Sequence, residues 1–175
     1  MKGKISAFEI ALSAIAAAIG ALFLSLGTLN NYLLATGYIV ACFALMLPLS
    51  KGFILGDALA YVAIVLLSFL FGGLSVPWRM LPFIIFFGLH PLVNFLQLKF
   101  KWNQWIALVI KAVWFDVAAY LLWRFVFGMT NTFEWIDQYI IPVIIVGGTL
   151  FFVVYDHFIF RCQIAVDKIV SRIKK

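Results

Sequence analysis

The run FEIALSAIAAAIGALFLSLGTL, residues 8–29, decides how this chain is read. It is apolar apart from Glu9 and a few hydroxyls, and it is long enough to cross a bilayer as a helix, which takes about 20 residues. Within and just before it, Ala7, Ala11, Ala14, Ala18, Ala21 and Ser25 follow at steps of four and three, which sets them on one helix face. Phe8, Ile15, Leu22 and Leu26 fall on another side. One face is therefore stripped of bulk. In lipid, where covering oil with oil gains little, a smooth face lets a second backbone approach and gain van der Waals contact. Two partners fit that face: another helix of the same chain, or a separate subunit.

Composition extends the reading to the whole chain. Of 175 residues, 66% are hydrophobic and 11% charged, too little polar surface to cover a soluble globule. The expected architecture is all-α: a polytopic membrane protein of one domain, residues 1–175, with six transmembrane helices and a C-terminal amphipathic surface helix. The spans fall at about residues 8–29, 32–49, 53–71, 80–98, 105–127 and 139–160, with the surface helix at 161–175. Gly52, Gly56, Ala60 and Ala63 repeat the small-residue spacing on the third span. Pro82 and the group His90, Pro91 and Asn94 predict a kinked fourth span, because proline frees a carbonyl one turn earlier.

The net charge of +6 does not mark a nucleic-acid binder, because the basic residues cluster at the ends of apolar runs. With the amino terminus inside, ten lie on the cytoplasmic side (Lys2, Lys4, Lys51, Lys99, Lys101, Arg161, Lys168, Arg172, Lys174 and Lys175), and the outer loops hold only Arg79. That asymmetry predicts a multi-pass membrane protein, surrounded by lipid, with both termini cytoplasmic. The basic start and apolar run resemble a secretory signal, but the run is long enough to span and the charge balance requires it as a span. Cys42 and Cys162 make no disulfide framework.

Ionisable groups within spans are costly and mark candidate sites. Asp57 lies in the third span, and Lys111, Asp116 and Arg124 in the fifth. Asp116, Tyr120 and Arg124 share a face, off which Lys111 lies; Asp116 and Arg124 serve either as a structural pair through neighbours or as the lining of a cavity. Arg124, Trp123, Glu134, Trp135, Asp137, Trp78, Arg79, Tyr32 and Asn31 gather at the outer ends, as a small-molecule pocket or as an aromatic belt at the interface. His90 and His157 have no metal-binding spacing, and no serine-nucleophile or phosphate-loop pattern is present, so neither a metal, a cofactor nor an enzymatic activity is expected.

A six-span chain of this length, with short connections and an alanine stripe on its first helix, resembles the substrate-capturing S component of an energy-coupling-factor (ECF) vitamin transporter. In that family an AxxxA pattern on the first helix meets the shared transmembrane subunit, which implies Ala14 and Ala18 as the docking pair and ECF transmembrane and ATPase subunits as partners. The family's ligand site lies in the outer half, which implies Arg79, Tyr120, Arg124, Glu134 and Trp135 as substrate-binding residues for a small vitamin-like molecule captured from outside. The same build resembles the rod-shape-determining membrane protein, a non-catalytic structural partner. A stand-alone proton-coupled carrier, with Asp57, Lys111 and Asp116 as its relay, is a third possibility.

Overall fold

A computed structural model of the chain describes residues 5–127 and 138–173; Glu134, Trp135 and Asp137 lie outside the described residues. Among the described residues every regular element is helical. Six helices are long and apolar enough to cross a membrane: Ala7–Leu29, Asn31–Leu49, Ile54–Phe71, Pro77–Lys99, Gln104–Phe125 and Ile140–Ile173. That is the build of a multi-pass membrane protein.

Helix α1 (Ala7–Leu29) starts at a reciprocal cap: the Ser6 hydroxyl accepts from the Glu9 amide at 3.2 Å, and the Glu9 carboxylate accepts from the Ser6 amide at 2.8 Å. Asn30 ends it, and its side chain accepts from the Tyr32 amide to turn the chain into α2 (Leu34–Leu49). A tight turn through Gly52, at φ 69°, leads to α3 (Ile54–Phe71). The fourth crossing is broken. A π segment, Phe83–Phe87, closes with the Gly88 amide donating to the Phe83 carbonyl, and helix α4 (His90–Lys99) then starts afresh. The kink expected near His90 is thus a restart, with Pro91 in the first turn, where its missing N–H leaves no bond unmade. Helix α5 (Gln104–Leu122) is capped by Asn103, whose Oδ1 accepts from the Trp105 amide at 2.9 Å. A π segment, Val143–Gly148, opens the sixth crossing and α6 (Thr149–Ile173) completes it.

The separate surface helix expected from residue 161 is not a separate element. Phe160, Arg161 and Cys162 include neither glycine nor proline, and α6 continues unbroken to Ile173. At 1.5 Å per residue, the 34 residues of Ile140–Ile173 extend about 50 Å, against a hydrocarbon core of about 30 Å. This helix is therefore longer than an untilted crossing needs.

The chain forms two compact units: the residues up to Leu96 together with those from Arg161 onward, and Gln97–Phe160. In the first, α1 turns Leu12, Ala16, Gly20, Leu24 and Gly27 inward. Ala41, Cys42, Leu45 and Met46 of α2 and Ile64 of α3 are fully buried in the same unit. At Gly37 a Cβ would lie 2.7 Å from the Phe23 carbonyl oxygen and 3.3 Å from the Gly27 Cα, so α1 and α2 meet backbone to backbone. The Ser68 hydroxyl of α3 donates to the Ala21 carbonyl of α1 at 3.3 Å. The small residues of the third span also work inside this unit. Gly56 and Ala60 are buried, and a Cβ on Gly56 would press within 2.3 Å of the Ser13 hydroxyl on α1.

Candidate functional site

In the first unit, the alanine stripe of α1 divides in two. Ala21 and Ser25 are buried, whereas Ala7, Ala11, Ala14 and Ala18 are exposed. At 3.6 residues per turn these four form a smooth strip between bulky neighbours, Ile10 on one side and Ile15 and Leu22 on the other, all about half exposed. Helix α1 turns Leu12, Ala16, Gly20 and Leu24 inward from its other side, and the strip stays exposed. At the end of the strip Ala18 leads into an open apolar groove of about 410 Å³, walled by Leu22 and Leu26 of α1 and Leu67 and Phe71 of α3.

Arg79 belongs to the same unit. Its Nη1 donates to the Thr28 carbonyl at 2.7 Å, satisfying one of the acceptors left at the end of α1, and its own carbonyl accepts from the Tyr38 hydroxyl. Arg79 thereby ties the segment before the fourth crossing to α1 and α2, a positioning task that the sequence reading did not assign to it. Asp57, in the first turn of α3, is 2% exposed, and its Oδ1 meets no hydrogen-bond donor among the described residues.

In the second unit the polar face of α5 is partly assembled as expected. Asp116 and Tyr120 line one groove of about 320 Å³, together with Val117 and with Ile141, Ile144 and Ile145 from the start of the sixth crossing. Asp116 Oδ2 accepts from the Thr149 hydroxyl at 2.8 Å, while Oδ1 is shielded and without a donor among the described residues. Gly148 permits the approach, since a Cβ on it would stand 3.0 Å from Asp116 Oδ1. The Tyr120 and Trp123 rings lie 6.1 Å apart. Arg124 is exposed in the π turn that follows α5. The groove surface is nearly all hydrocarbon, so it can hold an apolar body.

Lys111 has a different partner from any proposed by the spacing on α5. Its Nζ donates to Asp156 Oδ1 of α6 at 2.5 Å and stands 4.8 Å from the centre of the Phe160 ring. Both side chains are buried, 3% and 8% exposed. A charged pair at this depth is stable only because each charge answers the other and further contacts share the load. The pair borders a polar cleft of about 240 Å³, which Gln104 and His157 also line. Sequence reasoning missed this cleft. A usable signal was present: Lys111 lies about two turns into the fifth span and Asp156 about one turn before the expected end of the sixth at residue 160, so antiparallel neighbours bring them to similar depths.

Among the described residues no group of three or more histidine, cysteine, aspartate or glutamate side chains is placed to hold a metal ion. No protein-family model, curated protein or solved structure matches the chain.

Proposed function

We propose that this chain is the substrate-binding membrane subunit of an ECF-type importer, which captures a small molecule from outside and docks on a shared transmembrane and ATPase module. The observation that carries the reading is the uncovered alanine strip of α1. A helix that needed small residues only for internal packing would turn them inward, as α3 does with Gly56 and Ala60. On α1, Ala7, Ala11, Ala14 and Ala18 face out instead. Small residues allow close helix approach, and here the approach is left open between ridges of bulky side chains. The adjoining groove beside Leu67 and Phe71 gives a partner helix a place to seat larger side chains.

The second unit supports the capture half of the proposal. The groove of Asp116 and Tyr120 is the body of the binding site, and Arg124 is the charged group at its end of α5. Glu134 and Trp135 join it as proposed ligand contacts from the outer loop. The distribution of Lys and Arg supports a topology with both termini in the cytoplasm.

The test is a pair of substitutions, Ala14→Leu and Ala18→Leu. Added bulk on the strip separates the two backbones, so a tagged variant purified from the membranes of its own cell should lose its companion subunits at least tenfold relative to the unaltered chain. Its melting temperature in detergent, measured without partners, should stay within about 2 °C, because both alanines are exposed. A fall in melting temperature comparable to that of a core variant, or unchanged recovery of partners, would overturn the docking role.

A further inference from the structure

The groove beside the alanine strip has a length and an end that the docking role does not use. On α1 it runs from Ala18 past Leu22 and Leu26 to Leu29, with Leu67 and Phe71 of α3 as the facing wall. At 1.5 Å per residue, Ala18 to Leu29 rises about 16 Å, close to half of a hydrocarbon core of about 30 Å. The groove is therefore as deep as one leaflet, with Leu29 at the surface, where α1 ends. That end carries a cation. Arg79 Nη1 donates to the Thr28 carbonyl at 2.7 Å, which sets the half-buried guanidinium one peptide away from Leu29. Gly72 keeps the corner tight, since a Cβ on it would stand 2.9 Å from Leu29 Cγ and 3.3 Å from Thr28 Oγ1. A guanidinium has five N–H groups, and the neutral Thr28 carbonyl takes one of them. The Tyr38 hydroxyl donates to the Arg79 carbonyl, not to the guanidinium, and no carboxylate pairs with Arg79 among the described residues. The charge is left for an anion with oxygens in a plane or a cluster, which a phosphate supplies.

We propose that the groove and Arg79 together hold one anionic phospholipid of the leaflet in which α1 ends. One acyl chain lies along Leu22, Leu26, Leu67 and Phe71, and the phosphate accepts from Arg79. The chain fixes the depth of the headgroup, and that depth is the one at which Arg79 stands. A zwitterionic lipid brings the same chain and phosphate together with a cation of its own, so Arg79 attracts it less. The lipid is the occupant of the groove when the chain stands alone, and a docking helix displaces it. Lipid binding does not depend on the docking role, and the purified chain without partners tests it separately.

Phosphatidylglycerol and phosphatidylcholine with the same acyl chains form a matched pair, added to the purified full chain in detergent, with retained lipid counted by native mass spectrometry. One phosphatidylglycerol should be retained per chain, about fivefold more tightly than phosphatidylcholine, the worth of one basic side chain facing an anionic lipid. Glycerol 3-phosphate, which has the phosphate and no acyl chain, should not displace it. Arg79→Gln removes the charge and keeps N–H donors, and should hold the two lipids equally. Leu67→Trp fills the groove without touching Arg79 and should abolish retention; it decides the matter if Arg79→Gln does not fold, and the comparison of the two lipids on the unaltered chain stands without either variant. No retained lipid, or equal retention of the two lipids by the unaltered chain, would overturn the proposal. An unchanged preference in a folded Arg79→Gln, full retention by a folded Leu67→Trp, or displacement by glycerol 3-phosphate would overturn it as well.

Discussion

Lys111→Met is expected to destabilise the protein by about 3–5 kcal/mol. The side chains are of similar length, so the packing volume is nearly kept and the loss is electrostatic. Removing the ammonium leaves the Asp156 carboxylate, 8% exposed, without the cation at 2.5 Å that makes its burial tolerable. The contact of that ammonium with the Phe160 ring at 4.8 Å is lost as well. The double variant Lys111→Met with Asp156→Leu should recover most or all of the loss, because a buried ion pair replaced by apolar groups of matching size is close to neutral. Urea unfolding in a mild detergent, followed by circular dichroism, gives the comparison. If the double variant is as unstable as the single one, the pair is not what stabilises this helix contact.

Gly37→Val is expected to cost about 3 kcal/mol in the first unit, at the upper end of what overpacking does. Its first added carbon would stand 2.7 Å from a carbonyl oxygen of α1, a backbone atom that cannot rotate aside as a side-chain end can. Relief requires α1 and α2 to separate along their length, and Leu24, Ala41 and Leu45, all fully buried in this unit, would then lose contact. Gly147→Ala is the matched control. Nothing lies within 4 Å of the Cβ it adds, so its cost should be near zero, and the better helix propensity of alanine can make it slightly favourable. Equal melting temperatures for the two variants would contradict the close approach at Gly37.

These two sites differ in how well the sequence announced them. The crossing helices were legible because apolar runs of the right length have few other uses, and their ends fall within a few residues of the expected ones at Leu29, Leu49 and Phe71. Local cues also worked on α4, where Pro91 marked an interruption although its form, a π segment followed by a restart, depends on how Phe83–Phe87 packs. The end of α6 was misread. Alternating apolar and charged residues after Phe160 describe an amphipathic helix correctly, but amphipathicity says nothing about whether that helix begins anew or continues.

Partnerships between distant positions were the least legible. Lys111 and Asp156 are 45 residues apart, and Arg79 reaches the Thr28 carbonyl across 51. Periodicity relates residues on one helix, so it correctly put Asp116 and Tyr120 on a common face and set Lys111 off it. It cannot say which helix lies opposite. The direction of the alanine strip was undecidable for the same reason: Ala14 and Ala18 have the same spacing whether they meet a neighbour in the chain or face outward.

A photo-crosslinker at Ala14 or Ala18 tests the proposed docking face most directly. A benzophenone attached to a cysteine at either position reacts with whatever lies against the strip when the membranes of the cell are illuminated. The strip is exposed in the chain alone, so the account predicts adducts between this chain and a second polypeptide, at a yield that falls sharply for the same label placed at Ala16, which is fully buried. Adducts confined to this chain or to lipid at both positions would contradict it.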